Sequence, residues 1–216
     1  MTARDRSPIW IGLADLLLCV LSVVIVAVAP KADPHKGVEE KVEYLLSIEW
    51  SVDIDADADI WLIPPSKKPV FYGSRDVGCA TLDRDNRGFQ DSIITLADGS
   101  TTRVDSDKET IAIRCIEPGH YDLGAHLYAY RIEGLAADDR KDLGLKVHVE
   151  ILAINPSVRT IFSKDIVLDR VGQTNNTVSF NMARDGSITL ADPPLTPITQ
   201  EAYKTGAGGD YAPGGG

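Results

Sequence analysis

Apolar residues follow two regimes along this chain. From Ile9 to Ala29 there are twenty-one residues with no charge except Asp15. After Lys41 the pattern changes: Val42, Tyr44, Leu46, Ile48 and Trp50 stand at every second position. The first pattern is that of a helix with apolar surroundings on all sides, the second that of a strand with one buried face. A helix rises about 1.5 Å per residue, so the first run reaches across a hydrocarbon core of roughly 30 Å. Further strands are expected at 58–64, 69–73, 91–95, 109–116, 120–131, 145–154, 158–168, 176–182 and 187–190. Turn residues divide them: Pro64-Pro65-Ser66, Asp98-Gly99, Glu117-Pro118-Gly119, Asn155-Pro156 and Asp185-Gly186. Only 134–143 suggests a helical turn outside the first run. Many short strands with turn signals predict an all-β exported domain, an antiparallel, immunoglobulin-like β-sandwich.

The expected order is a cytoplasmic tail (1–8), a transmembrane helix (9–29), a linker (30–41), the β-sandwich (42–192) and a disordered Pro/Gly-rich tail (193–216). The start also resembles a secretory signal, with Arg4 and Arg6 before the apolar run and Ala27-Val28-Ala29 as a small-x-small site. Pro30 just after that site opposes cleavage, and the run exceeds the usual signal core, so an uncleaved anchor is expected. Flanking charges are nearly balanced. The short tail stays inside more easily than the large domain, which predicts an inner-membrane protein, N-terminus in the cytoplasm, with the C-terminal domain periplasmic or extracellular.

The formal net charge is −10, from 32 acids against 22 bases. That argues against nucleic-acid binding, which wants basic patches, and against docking on anionic head groups. Three cysteines are few. Cys19 lies in the apolar run. In an oxidising compartment Cys79 and Cys115 could pair; the alternative is two buried thiols, and sequence supplies no geometry to choose.

Within the apolar run, Gly12, Asp15, Cys19 and Ser22 are spaced three, four and three residues apart, which places them on one helix face. Small and polar residues on one stripe suit a helix that packs on protein, with Gly12 and Cys19 at the contact. A carboxyl at membrane depth costs about 2.5–3.5 kcal/mol, so it marks an ion path or a polar contact with a partner helix. In the first case Asp15 binds and releases a cation, with Ser22 as a second polar group; in the second it only hydrogen-bonds a neighbour.

The stretch from Asp15-Leu-Leu-Leu-Cys-Val-Leu-Ser to Ala29-Pro30 resembles the single transmembrane helix of the ExbD/TolR/MotB group. The resemblance covers about 25 of the 216 residues. It implies a dimer of this chain inside a pentamer of a polytopic ExbB/TolQ/MotA-like subunit, with H⁺ or Na⁺ passing through Asp15 to drive rotation. The exported part shows neither the peptidoglycan-binding pattern of MotB nor the small periplasmic domain of ExbD or TolR, so it would be a different output module facing an envelope or extracellular ligand.

A second stretch runs Ile48-Glu-Trp-Ser-Val-Asp-Ile-Asp-Ala-Asp-Ala-Asp-Ile-Trp-Leu-Ile-Pro-Pro65, then Val70-Phe-Tyr-Gly73, Leu82-Asp-Arg-Asp-Asn-Arg-Gly88 and Glu117-Pro-Gly-His-Tyr121. It is similar to YfaP-like β-sandwich domains over residues 48–131, which implies the fold more than any activity. Asp53, Asp55, Asp57 and Asp59 alternate, and in an extended strand they share one face. Asp55, Asp57 and Asp59 with Asp83 and Asp85 could offer a Ca²⁺ site of oxygen ligands, although the spacing is not that of an EF-hand. The alternative is a solvated acidic face.

No catalytic pattern stands out. His35, His120, His126 and His148 are scattered without metal-ligand spacing, and there is no nucleophile elbow, His-Glu-x-x-His or phosphate loop. The chain therefore reads as a non-enzyme. Three functions compete: a motor subunit, a membrane-anchored module that binds glycan or protein, and a secreted β-domain.

Overall fold

The computed structural model describes residues 7–28, 41–88, 91, 93–103, 107–131 and 143–200, and within the N-terminal helix the side chains from Trp10 to Ser22. The chain divides into two units, residues 1–39 and 40–216. In the first unit, Ser7–Val28 forms helix α1. Its described apolar side chains are exposed; Trp10 and Leu17 are both 66% accessible. A helix is thus present where one was expected. Among the described residues, however, no helix is long and apolar enough to cross a membrane.

The second unit is all-β. Its strands are β1 (Tyr44–Trp50), β2 (Ala56–Ile63), β3 (Asp76–Val77), β4 (Ala80–Arg84), β5 (Ile93–Thr95), β6 (Thr101–Arg103), β7 (Asp107–Ile113), β8 (Gly119–Tyr130), β9 (Leu145–Ala153), β10 (Arg159–Leu168), β11 (Thr174–Met182) and β12 (Ile188–Ala191). One sheet has the order β10-β9-β1-β7-β4-β3 and a second has β12-β11-β8-β2; β5 and β6 form a separate hairpin. The pairings are antiparallel throughout.

Both sheets contribute to one core. Leu46 and Ile48 of β1, Ile111 and Ile113 of β7, and Val147, Val149 and Ile151 of β9 meet Ile60, Leu62, Leu123, Leu127, Val178 and Phe180 from the other sheet. Each such side chain adds about 1.5–3 kcal/mol when fully buried. Tyr121 stacks on Phe180 with centroids 4.8 Å apart. The Tyr121 hydroxyl donates to the Glu117 carbonyl at 2.8 Å, so this large ring is buried without losing its polar partner.

β2 departs from alternation, since all eight of its residues are buried. Its inner residues face the core, while Trp61 and Ile63 on the other face pack with Phe71 and Ile198. Ile198 arrives on a C-terminal segment held by Asn176. The Asn176 amide nitrogen donates to the carbonyls of Pro194 (2.6 Å) and Thr196 (2.7 Å), and its oxygen accepts from the Ile198 amide at 3.0 Å. Gly124 makes room for this approach, because a Cβ there would meet Asn175 O at 2.7 Å and Ile198 Cδ1 at 2.8 Å. The disordered tail expected from 193 therefore does not begin there: residues 193–200 are part of the fold. Composition hid this, since the holding contacts come from a distant strand. Residues 205–216, expected to be disordered, lie outside the described residues, as does most of the helical turn expected at 134–143.

Two further expectations are corrected. Residues 69–73 form no strand, only isolated pairings of Val70 with Leu62 and Phe71 with Ser74. β3 and β4 arise where no strand was expected, because Gly78 at φ 58° allows a turn inside a run too short to show alternation. Cys79 in that turn is joined to Cys115 after β7 by a disulfide, with Cα atoms 5.2 Å apart.

Candidate functional site

β7 begins with Asp107 and Glu109 at the same inward parity as Ile111 and Ile113. Glu109 therefore enters the protein between the sheets, where it is 1% exposed. Its Oε2 accepts from the Ile60 amide of β2 at 2.7 Å, and its Oε1 from the Asn86 amide at 3.0 Å. One carboxylate thus serves an edge strand of one sheet and a loop that leaves the other. Asp59 of β2 and Asp85, just after β4, converge on it; one carboxylate oxygen from each of the three lies within 4.8 Å of the others. Asp59 is 3% exposed, and its Oδ2 has no hydrogen-bond partner.

A cavity of about 190 Å³ opens beside this cluster, lined by Asp57, Asp59, Asp85, Arg87, Tyr72 and Tyr128. Tyr128 occupies an irregularity in the pairing of β2 with β8, where Asp57 faces Ala129 and Ala58 faces Leu127. Such bulges re-aim side chains, and here the ring lies 6.0 Å from Tyr72 at the cavity wall. A larger, more open groove of about 440 Å³ runs past Phe162, Lys164, Thr177 and Asp192. It contains no buried charge and no unpartnered buried polar atom among the described residues, so the chemistry lies in the smaller cavity.

The cluster is short of positive charge. Arg131 sits 3.0 Å from Asp55 and 3.9 Å from Asp57, Arg75 lies 3.5 Å from Asp85, and Arg87 is engaged by Asp91 at 2.9 Å. Among the described residues no ion pair reaches Asp59 or Glu109. Burial pushes Asp57 up to about 6; Arg131 opposes this and the Asp85 charge adds to it. Burial, with Asp57 and Asp85 as like-charged neighbours, holds Asp59 well above the usual carboxylate range. Burial and then Asp59 do the same for Glu109, against the two amides that favour its charged form.

His126, on β8 opposite Asp59, titrates in the other direction. Burial pushes it down to about 4. Asp57 holds its proton more tightly in the fold than its ordinary 3.8, so its contribution to stability is complete at low pH and is lost as pH rises through about 6. His126 resists protonation in the fold, so its contribution is present above about 6.5 and is lost as pH falls through about 4. Each is worth about 1–3 kcal/mol, and over the shared window they offset one another. Relative to the parent protein in chelator, Asp57→Asn should make stability climb more with pH across that window. His126→Gln should make it fall more. Denaturant midpoints taken across the window check both signs, and equal slopes in the two variants would contradict the assignment.

Of the acidic residues expected to share a Ca²⁺ site, the structure brings Asp59 and Asp85 together, with Asp57 at the same cavity. Asp55 precedes β2 and pairs with Arg131. Asp83 is set apart: β4 bulges between Leu82 and Arg84, and Asp83 takes both its bonds, at 2.8 Å, from the Arg114 guanidinium. The alternating face from Asp53 to Asp59 does not form, because residues 52–54 make a turn and only Asp57 and Asp59 enter the strand. Sequence reasoning missed Glu109. Its signal was parity: an acid two and four residues before Ile111 and Ile113 belongs to the inward face. The histidines behave as strand-face residues: His120 bonds Asn181 and Asp122, His126 bonds Thr174, and His148 bonds Asp165. His35 lies outside the described residues.

On α1, Gly12, Asp15, Cys19 and Ser22 are all helical and exposed, and Cys19 is a free thiol. The Ser22 hydroxyl donates to the Leu18 carbonyl at 2.8 Å, a bond within the helix. Asp15 is the only charged residue of the described stretch.

No family model matches the chain, and no curated protein matches it. Among solved structures it is similar to one titled "Crystal structure of unknown function protein SAV2460", at 14% identity and a TM-score of 0.47, over 74% of this chain and 95% of that one.

Proposed function

We propose that this chain is the single-span subunit of an ion-driven rotary motor. In this reading two copies sit within a pentamer of a polytopic partner, Asp15 carries H⁺ or Na⁺, and the immunoglobulin-like sandwich is the exported arm that engages an envelope or extracellular partner. The observation that carries the reading is Asp15 itself, a lone carboxylate on an exposed helix that is otherwise uncharged over its described length. In sequence the apolar run Ile9–Ala29 has the length of a membrane span. A charge at that depth persists where it does work, and each charge moved through the membrane potential releases about 2.3 kcal/mol per 100 mV. The Cys79–Cys115 disulfide suits an oxidising, exported location for the sandwich.

A second reading, a membrane-anchored binding module, is favoured by a different observation, the acidic cavity at the edge of β2. Exchanging residues 9–29 for an inert apolar helix separates the two. The motor reading expects loss of the partner complex with the sandwich intact. Full function on the inert anchor would remove the motor reading and leave the binding module.

A further inference from the structure

The carboxylates of Asp59, Asp85 and Glu109 pose a problem that the apoprotein does not solve. Three acids meet where the two sheets meet, two of them almost wholly buried. Glu109 is fixed by two backbone amides. Asp85 has Arg75 at 3.5 Å. Asp59 has neither: it is 3% exposed, its Oδ2 is unpartnered, and it lines the cavity beside the other two. A buried carboxylate oxygen with no donor is expensive, and the usual remedies are a proton, an arginine or a metal ion. No arginine reaches it among the described residues.

Spacing and chemistry narrow the choice of ion. Ca²⁺ binds oxygen at about 2.3–2.6 Å, so two oxygens on opposite sides of it stand roughly 4.6–5.2 Å apart. The three ligand atoms, within 4.8 Å of one another, fit round such an ion as they stand. Mg²⁺ demands a stricter octahedron and gives up its waters reluctantly, whereas Ca²⁺ accepts irregular sets of carboxylate oxygens. Zinc prefers nitrogen and sulfur, and this cluster has neither. Each Glu109 oxygen accepts one amide and keeps a lone pair for the ion. The cavity of about 190 Å³ has room for the waters that complete a Ca²⁺ shell.

We propose that Asp59, Asp85 and Glu109 are the carboxylate ligands of a Ca²⁺ ion seated between β2, β7 and the end of β4. The ion ties the open edge of β2 to the opposite sheet and neutralises the acids that the arginines leave unpaired. This goes beyond either reading of function and stands or falls apart from Asp15. Asp83, turned away onto Arg114, is not a ligand.

The test uses the full chain in detergent, stripped with EDTA and desalted, then titrated with CaCl₂ by calorimetry and followed by thermal melting. One Ca²⁺ per chain should bind and raise the melting temperature, with a weaker response to MgCl₂. Changes to partners of ligands already cost about 10–100-fold in metal affinity, so Asp59→Asn should weaken Ca²⁺ binding by at least about tenfold. Asp85→Asn, at the less buried ligand, repeats the test should Asp59→Asn fail to fold, and Asp83→Asn should bind as the parent does. No uptake by the parent, or uptake unchanged in both ligand variants, would overturn the proposal and leave a shared proton as the occupant.

Discussion

In the proposed motor, Asp15→Asn should reduce ion-driven activity of the complex to background while the β-sandwich melts at its usual temperature. Asn has nearly the shape of Asp and can still hydrogen-bond a neighbouring helix, but it cannot bind and release a cation. Insertion should not suffer, since removing the charge relieves a cost of about 2.5–3.5 kcal/mol at the helix centre. Asp15→Glu, which keeps the charge one methylene further out, should retain part of the activity. The check is H⁺ or Na⁺ flux in vesicles containing the purified complex, with the melting of the sandwich as the folding control. Undiminished flux in the Asn variant would reduce Asp15 to a packing residue. The β-sandwich carries its own hydrophobic core, so a defect confined to flux is the expected signature.

Phe180→Ala should cost about 3–5 kcal/mol of stability, enough to leave a typical domain near its unfolding midpoint. Phe180 is fully buried on β11, and its ring lies nearly parallel to Tyr121, with 7° between the planes. Truncation removes the stacking partner of a second large ring and opens a cavity that the close-packed sheets cannot fill. Phe180→Leu, which keeps most of the volume, should cost clearly less. Urea midpoints with an unchanged m-value measure the difference. A loss below about 1 kcal/mol for the Ala variant would mean that this end of the core is loosely packed.

Strands with one wet face were legible in the sequence. β1 and β9 alternate, with Tyr44, Leu46, Ile48 and Trp50 in one and Leu145, Val147, Val149 and Ile151 in the other all buried. β2 was legible as a strand but not as a doubly covered one. Nothing local announces that Ile198 returns to cover Trp61, because the contact is set by Asn176 on another strand. The acidic residues show the same division. Counting aspartates located Asp59 and Asp85, yet a turn at 52–54 and the bulge at Asp83 redistribute the rest. Glu109 was hidden by its distance in sequence, although its parity with Ile111 and Ile113 was available. Pairing of Cys79 with Cys115 needed the β3–β4 turn, which no periodicity reveals. On α1 the spacing of Gly12, Asp15, Cys19 and Ser22 was readable, and all four are helical and exposed.

The most direct test of the central claim is the composition of the complex in its native membrane. The full-length protein would be purified in mild detergent and its co-purifying subunits identified and counted. The expected composition is a polytopic subunit forming a pentamer around a dimer of this chain. A monomer, or a dimer with no polytopic partner, would contradict it and would leave the acidic cavity of the sandwich as the seat of function.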